Sequence, residues 1–158
     1  MTAASDDLGD LIARLEQQER DLTFSRFDHA DAWRLGSLLV ELATGRRLPV
    51  AVDIRRGSQQ LFHAALSGST ADNDVWIERK VRVVQRYGAS SYLVGRRLAA
   101  KGQVLDASHG VDPALFAAHG GAFPVRLPAA GVIGVVTVSG LPQAEDHALV
   151  VEAIERFR

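Results

Sequence analysis

LPVAVDIRRGSQQLFHAALS, residues 48–67, decides the fold class. In its first half Leu48, Val50, Val52 and Ile54 alternate with Ala51 and Asp53, the period of a half-buried strand. LFHAALS alternates again, with Phe62, Ala64 and Leu66 on one face and Leu61, His63 and Ala65 on the other. A short loop through Gly57 joins the two runs, which predicts an antiparallel hairpin. Asp53 and His63 fall on the less apolar faces of the two strands, and the pattern leaves open whether they meet.

Helices flank this hairpin. Leu8, Leu11, Ile12 and Leu15 recur at helical spacing, with acids Asp6, Asp7 and Asp10 near the start, where the helix dipole favours them. A second helix starts near Asp28 as N-cap, carries Leu35, Leu38, Leu39 and Leu42, and stops at Gly45. Beyond the hairpin, VWIERKVRVVQRY predicts a helix closed by Gly88, with Asp72, Asn73 and Asp74 as candidate caps. Ser90 to Lys101 predicts another, and DPALFAAH a short one with Pro113 in its first turn. FPVRL and VIGVVTVS are β-branched strands, and a last helix begins near Pro142 with the stripe Val150, Ala153, Ile154 and Phe157. This order does not alternate as a doubly wound sheet does. An α+β domain is expected, a central antiparallel sheet with flanking helices and the N- and C-terminal helices over one face.

The bulk composition agrees with a single domain over 1–158. At 158 residues and 47% hydrophobic the chain has the material for a core without disulfide or metal staples. Cysteine is absent, which removes thiol catalysis, Cys-based zinc sites and Fe–S clusters. A net charge of −1, from 18 Lys+Arg against 19 Asp+Glu, offers no overall field for nucleic acid. The N-terminal stretch has no continuous apolar core, and no apolar run approaches the roughly 18 residues of a membrane span. A cytoplasmic protein is expected, with neither nucleic acid nor membrane as partner.

Three stretches carry a family likeness in this order: NDVWIERK at 73–80, HGGAFPVRL at 119–127 and GVVTVSGLPQAEDHALVV at 134–151. Together they resemble the haem-degrading domain family, the group of GlcG-like and HbpS-like proteins, in its small stand-alone branch. The resemblance implies a profilin-like fold, symmetric homo-oligomers and, for some members, binding of haem or a related tetrapyrrole. Carried onto this sequence, its motifs put Lys80 on the middle helix, Gly120 and Gly121 before a short strand, and Ser139, Gly140 and Asp146 at the last strand-to-helix joint.

The residues themselves allow two readings of that joint. A helix starting near Pro142 leaves backbone N–H groups where an anion docks, with Gly140 permitting close approach; alternatively Ser139, Glu145 or Asp146 satisfies those donors internally. Trp76, Arg79 and Lys80 share a helical face, either as an aromatic-cation site for an acidic ligand or as a core tryptophan with basic stems over the surface. Arg126 either reaches a carboxylate or faces solvent. His119 and His147 lie inside the family-like motifs and are the histidines to test as haem ligands, with Phe123 nearby; Tyr87 and Tyr92 are further oxygen donors. The five histidines show no HxH or HExxH spacing, and no phosphate-binding glycine loop, dinucleotide fingerprint or nucleophile elbow occurs. The leading expectation is an oligomeric protein that binds a small acidic ligand, haem by family likeness. The rivals are a non-enzymatic scaffold module and a cofactor-free enzyme acting on a small acidic metabolite.

Overall fold

A computed structural model describes residues 3–158, with side chains from residue 7 onward. The elements are α1 (Ala3–Asp21), α2 (His29–Gly45), β1 (Ala51–Arg56), β2 (Gln59–Ala65), α3 (Ala71–Tyr87), α4 (Ser91–Ala100), a 3₁₀ turn (Ala107–His109), β3 (Ala122–Leu127), β4 (Gly131–Ser139) and α5 (Gln143–Phe157). The four strands form one sheet in the order β2-β1-β4-β3, with every neighbouring pair antiparallel. The α+β class and the hairpin follow the sequence pattern.

Side-chain alternation sorts the sheet into two faces. Val52, Ile54, Phe123, Val125, Val136 and Val138 meet Leu35 and Leu39 of α2 and Val150 and Ile154 of α5 in the main core. Ala51, Ala122 and Val135 on the opposite face pack under Ile77, Val81 and Val84 of α3. Each fully buried Leu or Ile contributes roughly 1.5–3 kcal/mol, more than a helix cap's ~1 kcal/mol, so these faces rather than the caps decide the packing.

The helix facing α5 is α2, a correction to the expected place of the N-terminal helix. Leu15 of α1 instead joins Leu93 and Val94 of α4 and Val83 in a third cluster. An amphipathic stripe states that a helix is covered, not by what. Leu61 also departs from strict alternation. The β1–β2 register slips between Ile54 and Arg55, and Leu61 packs against the same core as Phe62.

Capping matches the local sequence. Asp28 and Asp31 form a reciprocal capping box on α2. On α3 the N-cap is Thr70 and not one of the expected residues 72–74; its N–H donates to Asn73 Oδ1 (2.8 Å), so that helix begins ahead of the expected valine. The helix expected at DPALFAAH is a single turn. Its carbonyls are diverted: Pro113 O accepts from Arg79 Nη2 (3.0 Å) and Leu115 O from Arg82 Nη1 (3.0 Å). Arginines of α3 therefore bind residues 113–118 to that helix as a wall.

Candidate functional site

The joint at 139–147 is closed from within. Asp146 folds back from the first turn of α5 and accepts N–H bonds from Leu141 (3.0 Å) and Gly140 (3.3 Å). Its Oδ2 also lies 3.1 Å from Lys80 Nζ, and the ammonium donates to Val138 O at 3.2 Å. Both side chains are buried, and burial is the larger influence on each, pushing the ammonium's pKa down and the carboxyl's up while the pairing opposes it. Gly121 is required beside this pair. Its φ is +138°, and a Cβ there would stand 2.3 Å from Val138 O and 2.7 Å from Lys80 Nζ. Lys80, Gly121, Gly140 and Asp146 thus staple α3, β3, β4 and α5 together, and the N–H groups of Gly140 and Leu141 are taken. Ser139 is buried at the end of β4, paired with Ala51.

Two other residues of the motifs lie away from any opening. Phe123 is 1% exposed in the main core. His147 is buried against Tyr92 (5.0 Å between centroids) and Phe123 (6.0 Å), and Nε2 lies 2.8 Å from Gln18 Oε1 as its hydrogen-bond partner. Burial alone holds its pKa down at about 4, so the ring is neutral. Arg126 points to the opposite side, donating to Gly88 O (2.6 Å) and lying 3.4 Å from Glu19, on a recess that includes Glu16 and Tyr87.

His119 lies elsewhere, exposed on the rim of a cleft of about 260 Å³. The cleft lies between α4, the 113–119 wall and the start of α5, and takes Arg79, Arg96, His119 and Gln143 among its lining. Gly95 allows the wall to close on α4, because a Cβ there would meet Ala118 O at 2.0 Å. Gln143 Oε1 accepts from Gly120 N (3.1 Å) and ties α5 to the His119 loop. Trp76 stands edge-on to His119 at 5.4 Å, and the Arg79 guanidinium lies 4.4 Å over the Trp76 ring. Burial first, and then the charges of Lys80, Arg79 and Arg96, push the His119 pKa below its usual value. The exposed imidazole is therefore neutral near pH 7 and has a free nitrogen lone pair.

Trp76, Arg79 and His119 come together, and Gly120 adjoins them; Lys80, Gly121, Gly140 and Asp146 form the staple behind, with Ser139 buried beside it. Arg96 is the residue sequence reading missed. A signal for it exists: residues 79–105 hold seven cations (Arg79, Lys80, Arg82, Arg86, Arg96, Arg97 and Lys101) and no acid.

Asp53 and His63 do meet, on the sheet's α3 side but away from this cleft. Asp53 is fully buried, and its Oδ2 accepts from Gln60 (2.5 Å) and lies 3.1 Å from His63 Nδ1. Arg55 joins Asp53 to Glu78 of α3 through Nε (2.7 Å) and Nη2 (2.5 Å), and this bond holds the Glu78 carboxyl below its usual pKa.

The chain is similar to known proteins over most of its length. A family model described as haem degrading protein HbpS-like matches residues 27–155. The UPF0303 protein of Streptomyces coelicolor is 64% identical over 146 residues, 92% of each chain. Among solved structures, the crystal structure of Ybr137w protein is similar at a TM-score of 0.85 and 31% identity, covering 92% of this chain and 87% of that one. The crystal structure of the PduOC haem complex is similar in fold, at a TM-score of 0.67 and 17% identity, covering 82% of this chain and 93% of that one.

Proposed function

This chain belongs to the HbpS-like family of haem-degrading proteins, and from that premise we propose that it binds haem through the His119 face. The carrying observation is an exposed, neutral imidazole set against Trp76 beside a cleft lined by Arg79 and Arg96 and by no acid. The similarity in fold to a chain solved as a haem complex supports the same ligand.

The residues fit the group in part of its surface. At about 260 Å³ the cleft is below the roughly 300–1000 Å³ of a pocket that encloses a drug-sized ligand, so it does not swallow a macrocycle. It suits the carboxylate edge, which Arg79 and Arg96 would hold as charge-assisted donors. His119 and Trp76, with Val104, 72% exposed, on the rim, would hold the rest of the group. Bound haem would supply a redox-active iron. The chain's own part is to place the ring, present one neutral nitrogen from His119 and neutralise the carboxylates. His147, buried and with Nε2 on Gln18, has no part in this reading.

Haem titration followed by the Soret band is expected to give a saturable shift at about one equivalent per chain, lost in His119→Ala and kept in His147→Ala. An unshifted band, or a shift indifferent to His119→Ala, contradicts the proposal.

We also propose a homo-oligomer. Trp33 is 64% exposed, stacks edge-on against Phe62 of β2 at 5.4 Å, and sits beside the open edge of the sheet, the kind of surface symmetric assembly covers. Sedimentation velocity is expected to give a species larger than the monomer, reduced by Trp33→Glu; a monomer at all concentrations rejects this.

A further inference from the structure

The way the two cleft arginines are held separates them from Arg55 and Arg126, which are also partly buried, and from Arg82, which is spent on Leu115 O. Arg55 and Arg126 are bound to carboxylates. Arg79 and Arg96 pair with none among the described residues; each rests on an aromatic face instead, Arg79 over Trp76 at 4.4 Å and Arg96 over Tyr92 at 5.8 Å. A ring face steadies a guanidinium without cancelling its charge. Nε of both side chains is shielded from solvent and makes no hydrogen bond, an expense that a native structure meets with a partner. The remainder of the lining includes Leu98, Ala99, Leu105 and Phe116, which suit an apolar body.

We propose that the cleft is a binding site for a small organic oxyanion, a carboxylate or phosphate head on a short apolar body, taken up by the haem-free protein. This goes beyond the haem reading. It rests on the two guanidiniums and the apolar wall and needs no ligation by His119. Two cations in a concave, partly desolvated site attract one anionic head more strongly than exposed cations do. The volume of about 260 Å³ limits the guest to a compact molecule.

The probes are benzoate, phenyl phosphate and the neutral benzyl alcohol, titrated by calorimetry into the haem-free full chain. Benzoate or phenyl phosphate is expected to bind saturably, at least tenfold more weakly in Arg96→Gln and in Arg79→Gln, and unchanged in Arg97→Gln, whose side chain sits 3.7 Å from Glu16. Whichever probe binds more tightly identifies the head group. Should Arg96→Gln or Arg79→Gln fail to fold, the wild-type protein still decides: an anion in the cleft offsets the charges beside His119, so its ring titrates at higher pH by NMR with the probe bound. Equal binding of benzyl alcohol, binding indifferent to both arginines, an unmoved His119 titration, or no binding of either anion at millimolar concentration overturns the proposal. A missing Soret shift with benzoate bound removes haem and leaves the anion site; the opposite pair of results does the reverse.

Discussion

Replacing Lys80 by methionine is expected to destabilise the fold by roughly 3–5 kcal/mol, the usual cost of leaving one member of a buried ion pair alone. Methionine keeps the length of the stem, so the loss reports the charge and not a cavity. What remains is the Asp146 carboxylate, 2% exposed, with the N–H groups of Gly140 and Leu141 as its other partners. Those bonds were made with the ammonium present, and Val138 O also loses its donor at 3.2 Å. The double variant Lys80→Met/Asp146→Asn removes both charges and keeps an acceptor for Leu141, so it is expected to recover a large part of the loss. A double-mutant cycle in urea should give a coupling of about 2 kcal/mol or more. A Lys80→Met protein within about 1 kcal/mol of wild type would mean that the staple does not hold the four elements together.

The second large effect is acid sensitivity centred on His147. The ring is neutral in the native state, with a pKa near 4 against the ordinary 6.5, because burial removes the water that would solvate its cation. Above pH 6.5 neither the folded nor the unfolded state carries the proton, and its stabilising contribution is complete. Between 6.5 and about 4 the unfolded chain takes up a proton that the native protein refuses, so stability falls as pH falls; below about 4 both states are protonated and the loss levels off. The whole window is worth roughly 3 kcal/mol. Stability measured from pH 7.5 to 4, as wild type minus His147→Gln, isolates this site from the carboxylates, including Asp146, whose raised pKa acts with the opposite sign. A difference that stays flat with pH would show that the ring gains a proton as easily in the fold as out of it.

Much of the fold was legible because local chemistry and burial agree. Asp28 sits before a leucine stripe and caps it, and the alternation of 48–67 becomes the hairpin. The partners of helices were less legible. The stripe of α1 carries no mark that says α4 rather than the sheet, and the carbonyls at 113–115 are claimed by arginines some 30 residues earlier in the chain. The candidate site was legible in the same uneven way. Trp76, Arg79 and Lys80 share one face by spacing, yet their roles diverge: Arg79 turns to the cleft and Lys80 to the staple, a difference of about 100° around the helix. Asp146 looked like a helix-dipole acid or a ligand contact and is the internal partner of both the glycine joint and the lysine. Arg96 stood next to Arg97 with nothing to rank them. Only the fold sends the second toward Glu16 and leaves the first without a carboxylate.

The central claim is that ligand binds at the His119 cleft and not at the strand-to-helix joint of residues 139–147. The most direct test is an amide and imidazole chemical-shift map of the haem-free protein on addition of gallium protoporphyrin, a diamagnetic stand-in for haem. The account predicts the largest changes at Trp76, Arg79, Arg96 and His119, with Gly140, Leu141 and Asp146 little moved. Changes concentrated at Gly140–Asp146 or around Arg126, or none at equimolar porphyrin, would contradict it.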